Sequence, residues 1–132
     1  MDEVTIITDN RVGALAAIAE ALGGAGVNIE AISAYEQGGN AVFRVLTGDP
    51  NSAKKLVEKV PGVSGVSLSE VVVVKLPNRP GELGKLTRKL ANRGVDLQSL
   101  YIVSRSNEHT EVAVKPAGAQ VEKTKEALGI RR

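Results

Sequence analysis

Two short stretches combine residues suited to gripping a small molecule: Thr8-Asp9-Asn10-Arg11-Val12-Gly13-Ala14-Leu15 and Leu76-Pro77-Asn78-Arg79-Pro80-Gly81-Glu82-Leu83. In each, an asparagine, an arginine and a glycine stand between an apolar run and a helically periodic one, so each reads as a strand passing directly into a helix. Asparagine at such a junction is a good helix N-cap, its side-chain oxygen accepting from a backbone N–H two or three residues on. Pro80 suits the first helical turn, where a missing N–H costs nothing. Gly13 and Gly81 read as positions where a side chain would meet something bulky. The chemistry on offer is binding: bare N–H groups and the positive end of a helix dipole receive a carboxylate or a phosphate. One such turn alone reads as no more than a capped junction; two at equivalent positions favour a site.

The two stretches are copies. Aligning Asn10 with Asn78 sets an offset of 68 residues, which also superimposes Ile18 on Leu86, Leu22 on Leu90, and Gly26-Val27-Asn28-Ile29 on Gly94-Val95-Asp96-Leu97. Several matched stretches in one register make an internal duplication, so each half is one supersecondary unit.

Composition removes many alternatives. There is no cysteine, hence no disulfide, thiolate metal site or cysteine nucleophile. His109 is the single histidine and falls in a polar turn, and no Ser–His–Asp set, His-Glu-Xaa-Xaa-His pair or Walker loop occurs. Gly23-Gly24-Ala25-Gly26 follows a helix rather than a strand, so it reads as a helix stop and not a dinucleotide fingerprint. No metal or cofactor is expected. Val71 to Val74 is the longest apolar stretch, far too short to cross a bilayer, and no leader segment is visible; a cytoplasmic protein is expected. Charge is uneven. Residues 1–68 carry five Lys or Arg against eight Asp or Glu, and residues 69–132 carry twelve against seven. Lys85, Arg88, Lys89 and Arg93 recur at helical spacing and read first as a solvated face, with docking on an acidic partner surface or weak nucleic-acid contact as the alternative.

The elements that position the two stretches follow from periodicity. Glu3 to Thr8 reads as a strand, and Val12, Leu15, Ile18, Ala19 and Leu22 as the apolar stripe of a helix ended by Gly23-Gly24. Val27 to Tyr35 reads as a second strand, with Val27, Ile29, Ala31 and Tyr35 on one face and Asn28 and Glu30 on the other. Gln37-Gly38-Gly39-Asn40 is hairpin chemistry, returning as Ala41 to Leu46. Pro50 opens a helix with Ala53, Leu56, Val57 and Val60 inward, and Gly62 to Ser69 is a fourth strand. The second copy repeats this order: Glu70 to Leu76, a helix from Pro80 to Asn92 burying Leu83, Leu86 and Leu90, strands Val95 to Ser104 and Thr110 to Lys115, and a helix marked by Val121, Thr124 and Leu128. Then the repeat runs out, leaving Gly129-Ile130-Arg131-Arg132 where a closing strand belongs. The missing strand leaves the Val71–Val74 strand with an open edge, which a second copy of the chain would cover. The fold class is therefore α+β, two tandem ferredoxin-like β-α-β-β-α-β units whose antiparallel sheets carry helices on one face, the second lacking most of its last strand.

That fold hosts many functions, and residues must discriminate. An RNA-binding version needs aromatics on its central strands, and here Phe43 is alone. A strand, then Asn-Arg-Pro-Gly-Glu-Leu, a leucine-bearing helix and Gly-Val-Asp/Asn opening the next strand together resemble the ACT-domain family of small-molecule-sensing regulatory modules. The resemblance spans both halves, residues 1–69 and 70–132, and is closer in the second; the first has Val12 where the family prefers proline. It implies a non-enzymatic regulator binding an amino acid or similar metabolite between modules, controlling an enzyme or regulator of amino-acid metabolism, in a homo-oligomer, without nucleic acid or membrane. The site residues it implies are Thr8, Asn10, Val12, Gly13, Ala14 and Leu15 in the first turn and Asn78, Pro80, Gly81, Glu82 and Leu83 in the second. Asn28 and Asp96 on the second strands would complete two pseudo-symmetric pockets, the first turn paired with Asp96 and the second with Asn28; a plain polar strand start explains both equally well. The competing reading is a ligand-independent interaction module that docks on a partner enzyme.

Overall fold

The computed structural model describes residues 2–130, which group into two compact units, Asp2–Ser69 and the residues from Glu70 on. The first contains β1 (Asp2–Asp9), α1 (Ala14–Gly24), β2 (Ala31–Gln37), β3 (Asn40–Leu46), α2 (Pro50–Val57) and β4 (Val63–Glu70). Its sheet runs β2-β3-β1-β4, the order of the ferredoxin-like fold. Val4, Ile6, Ala41, Phe43 and Val45 on one sheet face meet Ala14, Ile18, Leu22, Ala53 and Val57 of the two helices, so both helices lie on that face. Full burial of a side chain such as Ile18 or Leu22 stabilises by roughly 1.5–3 kcal/mol.

The second unit contains β5 (Val72–Pro77), α3 (Glu82–Asn92), β6 (Leu97–Arg105), β7 (His109–Pro116) and α4 (Val121–Ala127). Its sheet runs β5-β7-β6, and among the described residues no strand takes the place that β4 has beside β1. Arg131 and Arg132, the end of the expected vestige, lie outside the described residues. Leu86, Leu90, Val95, Val112 and Val114 form the second core. β4 and β5 are separate strands divided at Val71.

The structure corrects several expectations. Asn10 and Asn78 do not cap their helices. Gly13 and Gly81 hold the N-cap positions, both at φ 89°, and neither helix start has a side-chain cap. Those glycines are required by the left-handed backbone, since a Cβ on either would meet nothing within 4 Å. Pro80 therefore precedes the N-cap instead of occupying the first turn. The stripe of α1 is Ala14, Ile18 and Leu22, with Val12 fully exposed ahead of the helix and Leu15 partly exposed; α3 likewise buries Glu82, Leu86 and Leu90 and leaves Leu83 exposed. The inward row begins one residue earlier than the leucines suggest, because the i, i+4, i+8 row faces the sheet. Gly23 and Gly24 belong to α1, and the chain leaves it through Gly26 at φ 76°, the Val27 N–H returning to the Leu22 carbonyl at 2.9 Å.

The second strands start later than Val27 and Val95. β3 ends at Leu46, the partner of Ala31, and β7 ends at Pro116, the partner of Leu97, so residues further back have no strand to pair with. Asn28 and Asp96 consequently lie on connecting loops. Alternation restarts with β2: Ala31, Ser33 and Tyr35 share the helix-free face with Val42, Arg44 and Leu46, whereas Val27 and Ile29 pack on the core. α2 opens at Pro50 as expected, capped by Asp49, whose carboxylate accepts from the Ser52 N–H at 3.2 Å. Hydrogen bonding from Ser52, its side chain first and then this N–H, holds the Asp49 carboxyl below its ordinary range.

Candidate functional site

In the first module the turn between β1 and α1 opens onto a cleft of about 580 Å³. Asn10, Arg11, Gly13, Ala14, Leu15 and Ala16 form one wall; Ala34, Tyr35, Ala41 and Phe43 from β2 and β3 form the other. Small side chains keep it open. The Asn10 amide has no protein partner among the described residues, and neither do the N–H groups of Gly13, Leu15 and Ala16 at the helix start.

The turn is held from below. Arg11 donates from Nε to Asp9 Oδ1 at 2.9 Å and from Nη2 to the Pro61 carbonyl, while the Asp9 N–H reaches the Gly62 carbonyl at 3.2 Å. Gly62, at φ 92°, is obligatory there: a Cβ would lie 2.6 Å from Asp9 Oδ1 and 2.7 Å from Arg11 Nη2. The segment entering β4 thus fixes residues 9–11, and Asn10 is left with nothing structural to do.

The second turn is wired differently. Asn78 donates from Nδ2 to the Ser106 carbonyl at 2.7 Å, and its N–H reaches the Glu108 carbonyl at 2.9 Å, tying the turn to the β6–β7 hairpin. Arg79 donates from Nε to Glu82 Oε2 at 2.6 Å, and Lys85 approaches the same carboxylate at 3.4 Å. The Arg79 hydrogen bond, helped by the charges of Lys85 and Arg79, holds the Glu82 carboxyl below its ordinary range against a desolvation that acts the other way. The cleft beside this turn is only about 110 Å³, narrowed by Leu76, Leu83, Ile102, Arg105 and Val112.

The remaining residues expected at the site lie elsewhere. Thr8 is buried and donates its hydroxyl to the Asp9 carbonyl at 2.8 Å. Val12, Pro80 and Gly81 do not line either cleft. Asn28 donates to Glu30 at 3.2 Å and lines a different cleft of about 580 Å³ with Thr47, Asp49, Ser52 and Lys55. By strand direction that cleft is at the other end of the first module from Asn10. Asp96 is exposed, its N–H bonded to Gln120 Oε1 at 2.9 Å. Sequence reasoning missed Ala34 and Tyr35 as wall residues, although an edge strand beside a turn is where they would be sought. It also missed Arg44, which donates to Tyr35 Oη and to the buried Glu3, each at 2.8 Å. Burial acts to lower the Arg44 pKa, but these two hydrogen bonds and the Glu3 charge outweigh it, and the guanidinium stays charged.

Among the described residues no cluster of three or more His, Asp or Glu could hold a metal ion, and no helix is long and apolar enough to cross a membrane. Residues 3–60 match the model of the ACT domain. No curated protein sequence matches the chain. Among solved structures it is similar to protein BT0572 from Bacteroides thetaiotaomicron, with 26% identity, 97% of this chain and 85% of that chain covered, and a TM-score of 0.84. It shares its fold with the ligand-free regulatory subunit of aspartate kinase from Thermus thermophilus, at 16% identity, 97% and 90% coverage and a TM-score of 0.72. The regulatory subunit of aspartate kinase from Thermus flavus gives 16% identity, the same coverages and a TM-score of 0.64. The ACT-domain match thus falls on the first module, and the second repeats the fold without its closing strand among the described residues.

Proposed function

We propose that this protein is a non-enzymatic, cytoplasmic regulator that binds an amino acid, or a small metabolite of the same zwitterionic kind, at the turn of its first module. One observation carries the reading: an unspent asparagine amide and unpaired helix-start N–H groups open onto a largely apolar cleft of about 580 Å³. The N–H groups of Gly13, Leu15 and Ala16 suit a carboxylate. Asn10 Oδ1 suits an ammonium. Ala14, Leu15, Ala34 and Phe43 offer an apolar side chain its surroundings. No residue at the cleft pairs a nucleophile with a base, so the chemistry is recognition.

The ACT domain supports a regulatory role, and two structures of the same fold are described as regulatory subunits of aspartate kinase. Control of an enzyme or regulator of amino-acid metabolism would act through unequal affinity for two conformations of the protein or its partner. β2 and β5 lie at sheet edges, which fits a homo-oligomer. In this reading the second turn is structural, and Asn78, Pro80, Gly81, Glu82 and Leu83 hold the module together rather than a ligand. The fully exposed Val12 just ahead of the helix and the partly exposed Leu15 favour one second reading, a ligand-independent docking surface for a partner enzyme.

Thermal-shift screening of the twenty amino acids tests the proposal, because a ligand that binds only the folded state raises its melting temperature. The expected hit stabilises wild type and Asn78→Ala and leaves Asn10→Ala unmoved. A screen without hits, or one in which Asn10→Ala responds like wild type, counts against it.

A further inference from the structure

We propose that the second module carries an anion site on its helix-free face, at the hairpin end of β6 and β7, which takes a soluble phosphate-bearing small molecule. Lys75 of β5, Ser104 and Arg105 of β6, Ser106 of the turn, and His109 and Glu111 of β7 line a cleft of about 330 Å³ there. The sheet register brings Lys75, Ser104, His109 and Glu111 to one face: Lys75 stands opposite Glu111, Pro77 opposite His109, and Ser104 opposite Glu111; Arg105, opposite Thr110 and also beside the Asn78 cleft, lines this one from the strand end. The turn is rigid, because the Ser106 hydroxyl accepts from the Glu108 and His109 N–H groups and the Ser106 N–H reaches the His109 carbonyl at 2.7 Å.

Charge decides what would enter. Among the described residues neither Lys75 nor Arg105 has a carboxylate within 4 Å; Arg88, Lys89 and Lys123 are unpaired too, but they do not line this cleft, whereas Arg79, Lys85, Arg93 and Lys125 of the same module are each paired. The cleft's own carboxylate, Glu111, takes the Ser104 hydroxyl at 2.7 Å instead. Ser104 and Ser106 are thus spent on the protein, and the free donors are the Lys75 ammonium, the Arg105 guanidinium and the His109 imidazole. Lysine and arginine are donors without acceptors, and the guanidinium fork matches two phosphate oxygens at once. Donors arriving from three strands suit an anion with several oxygens and more than one charge, which a single carboxylate does not offer. The volume is at the small end of ligand pockets, the size of a phosphate ester.

Titration of the intact protein with inorganic phosphate, pyrophosphate and acetate, followed by two-dimensional NMR, tests the assignment. Saturable shifts are expected at His109, Lys75 and residues 104–111, with pyrophosphate binding more tightly than phosphate and acetate not at all. Arg105→Gln and Lys75→Gln should each weaken pyrophosphate about tenfold, Glu111→Gln should tighten it, and Arg88→Gln on α3 should change nothing. Equal losses from Arg88→Gln and Arg105→Gln would mean diffuse surface charge and overturn the site. So would shifts that never saturate, acetate binding as well as phosphate, or binding only to anionic lipid vesicles.

Discussion

The first turn leans on a closing strand that the second turn lacks among the described residues. Around Asn10, the carbonyls of Pro61 and Gly62 just before β4, together with Asp9, hold Arg11 and the backbone, and the asparagine stays free above an open cleft. Around Asn78 the equivalents are missing: Pro77 replaces Asp9, and no β4 counterpart is present among the described residues. Arg79 therefore turns to Glu82, and Asn78 is spent on the Ser106 carbonyl. The same asparagine, in the same motif, is released in one module and consumed in the other. A turn motif thus reports a binding site only where something else supplies its mechanical support.

Substitutions can break or sharpen this contrast. The largest effects belong to what the modules share: Leu22→Ala and Leu90→Ala, both nearly fully buried at equivalent positions, should each cost about 3–4 kcal/mol in denaturant unfolding. Gly62→Ala should follow at about 2–3 kcal/mol, since strain at φ 92° adds to a clash with Asp9 and Arg11. It should also weaken ligand binding at the first turn. Gly13→Ala and Gly81→Ala, free of any clash, should cost about 1 kcal/mol each and equally, because only the left-handed backbone opposes them.

The asparagines should separate the modules. Asn78→Ala loses a hydrogen bond to a backbone carbonyl and should cost about 1 kcal/mol of stability. Asn10→Ala should be nearly neutral in stability. Acid provides the gentlest probe. Glu82 and Asp49 both have carboxyl pKa values lowered by folding, so the stability each adds is present above its unfolded pKa and is lost as pH falls through its folded pKa. Glu82→Gln should flatten the acid-side decline of the second module. Asp49→Asn should do the same for the first while keeping the helix cap, since asparagine caps as well as aspartate. Melting followed from neutral to acid pH checks both.

Much of the fold was legible in the chain itself. The 68-residue offset and the strand-turn-helix order required only periodicity and glycine placement. The turn chemistry was not. Asparagine as N-cap is a sound local rule, yet glycine at φ 89° three residues later took the position, because the chain needed a left-handed step to bring Ala14 and Glu82 onto the sheet. Nor does a local pattern reveal that Leu15 and Leu83 stay exposed: helical spacing identifies a stripe, and only the sheet decides which stripe is inward. The late starts of β2 and β6 depend on where β3 and β7 stop, a non-local fact that moved Asn28 and Asp96 off the strands. The inequality of the two turns was hinted at by Pro77 for Asp9 and Leu76 for Thr8, but its cause, support from a segment 50 residues away, is tertiary.

Calorimetric titration of the amino acid found by screening weighs the central claim most directly, because it counts sites. One molecule per chain is expected, bound by wild type and Asn78→Ala alike and lost in Asn10→Ala. Two equivalent molecules per chain, or binding abolished by Asn78→Ala and kept by Asn10→Ala, would contradict it.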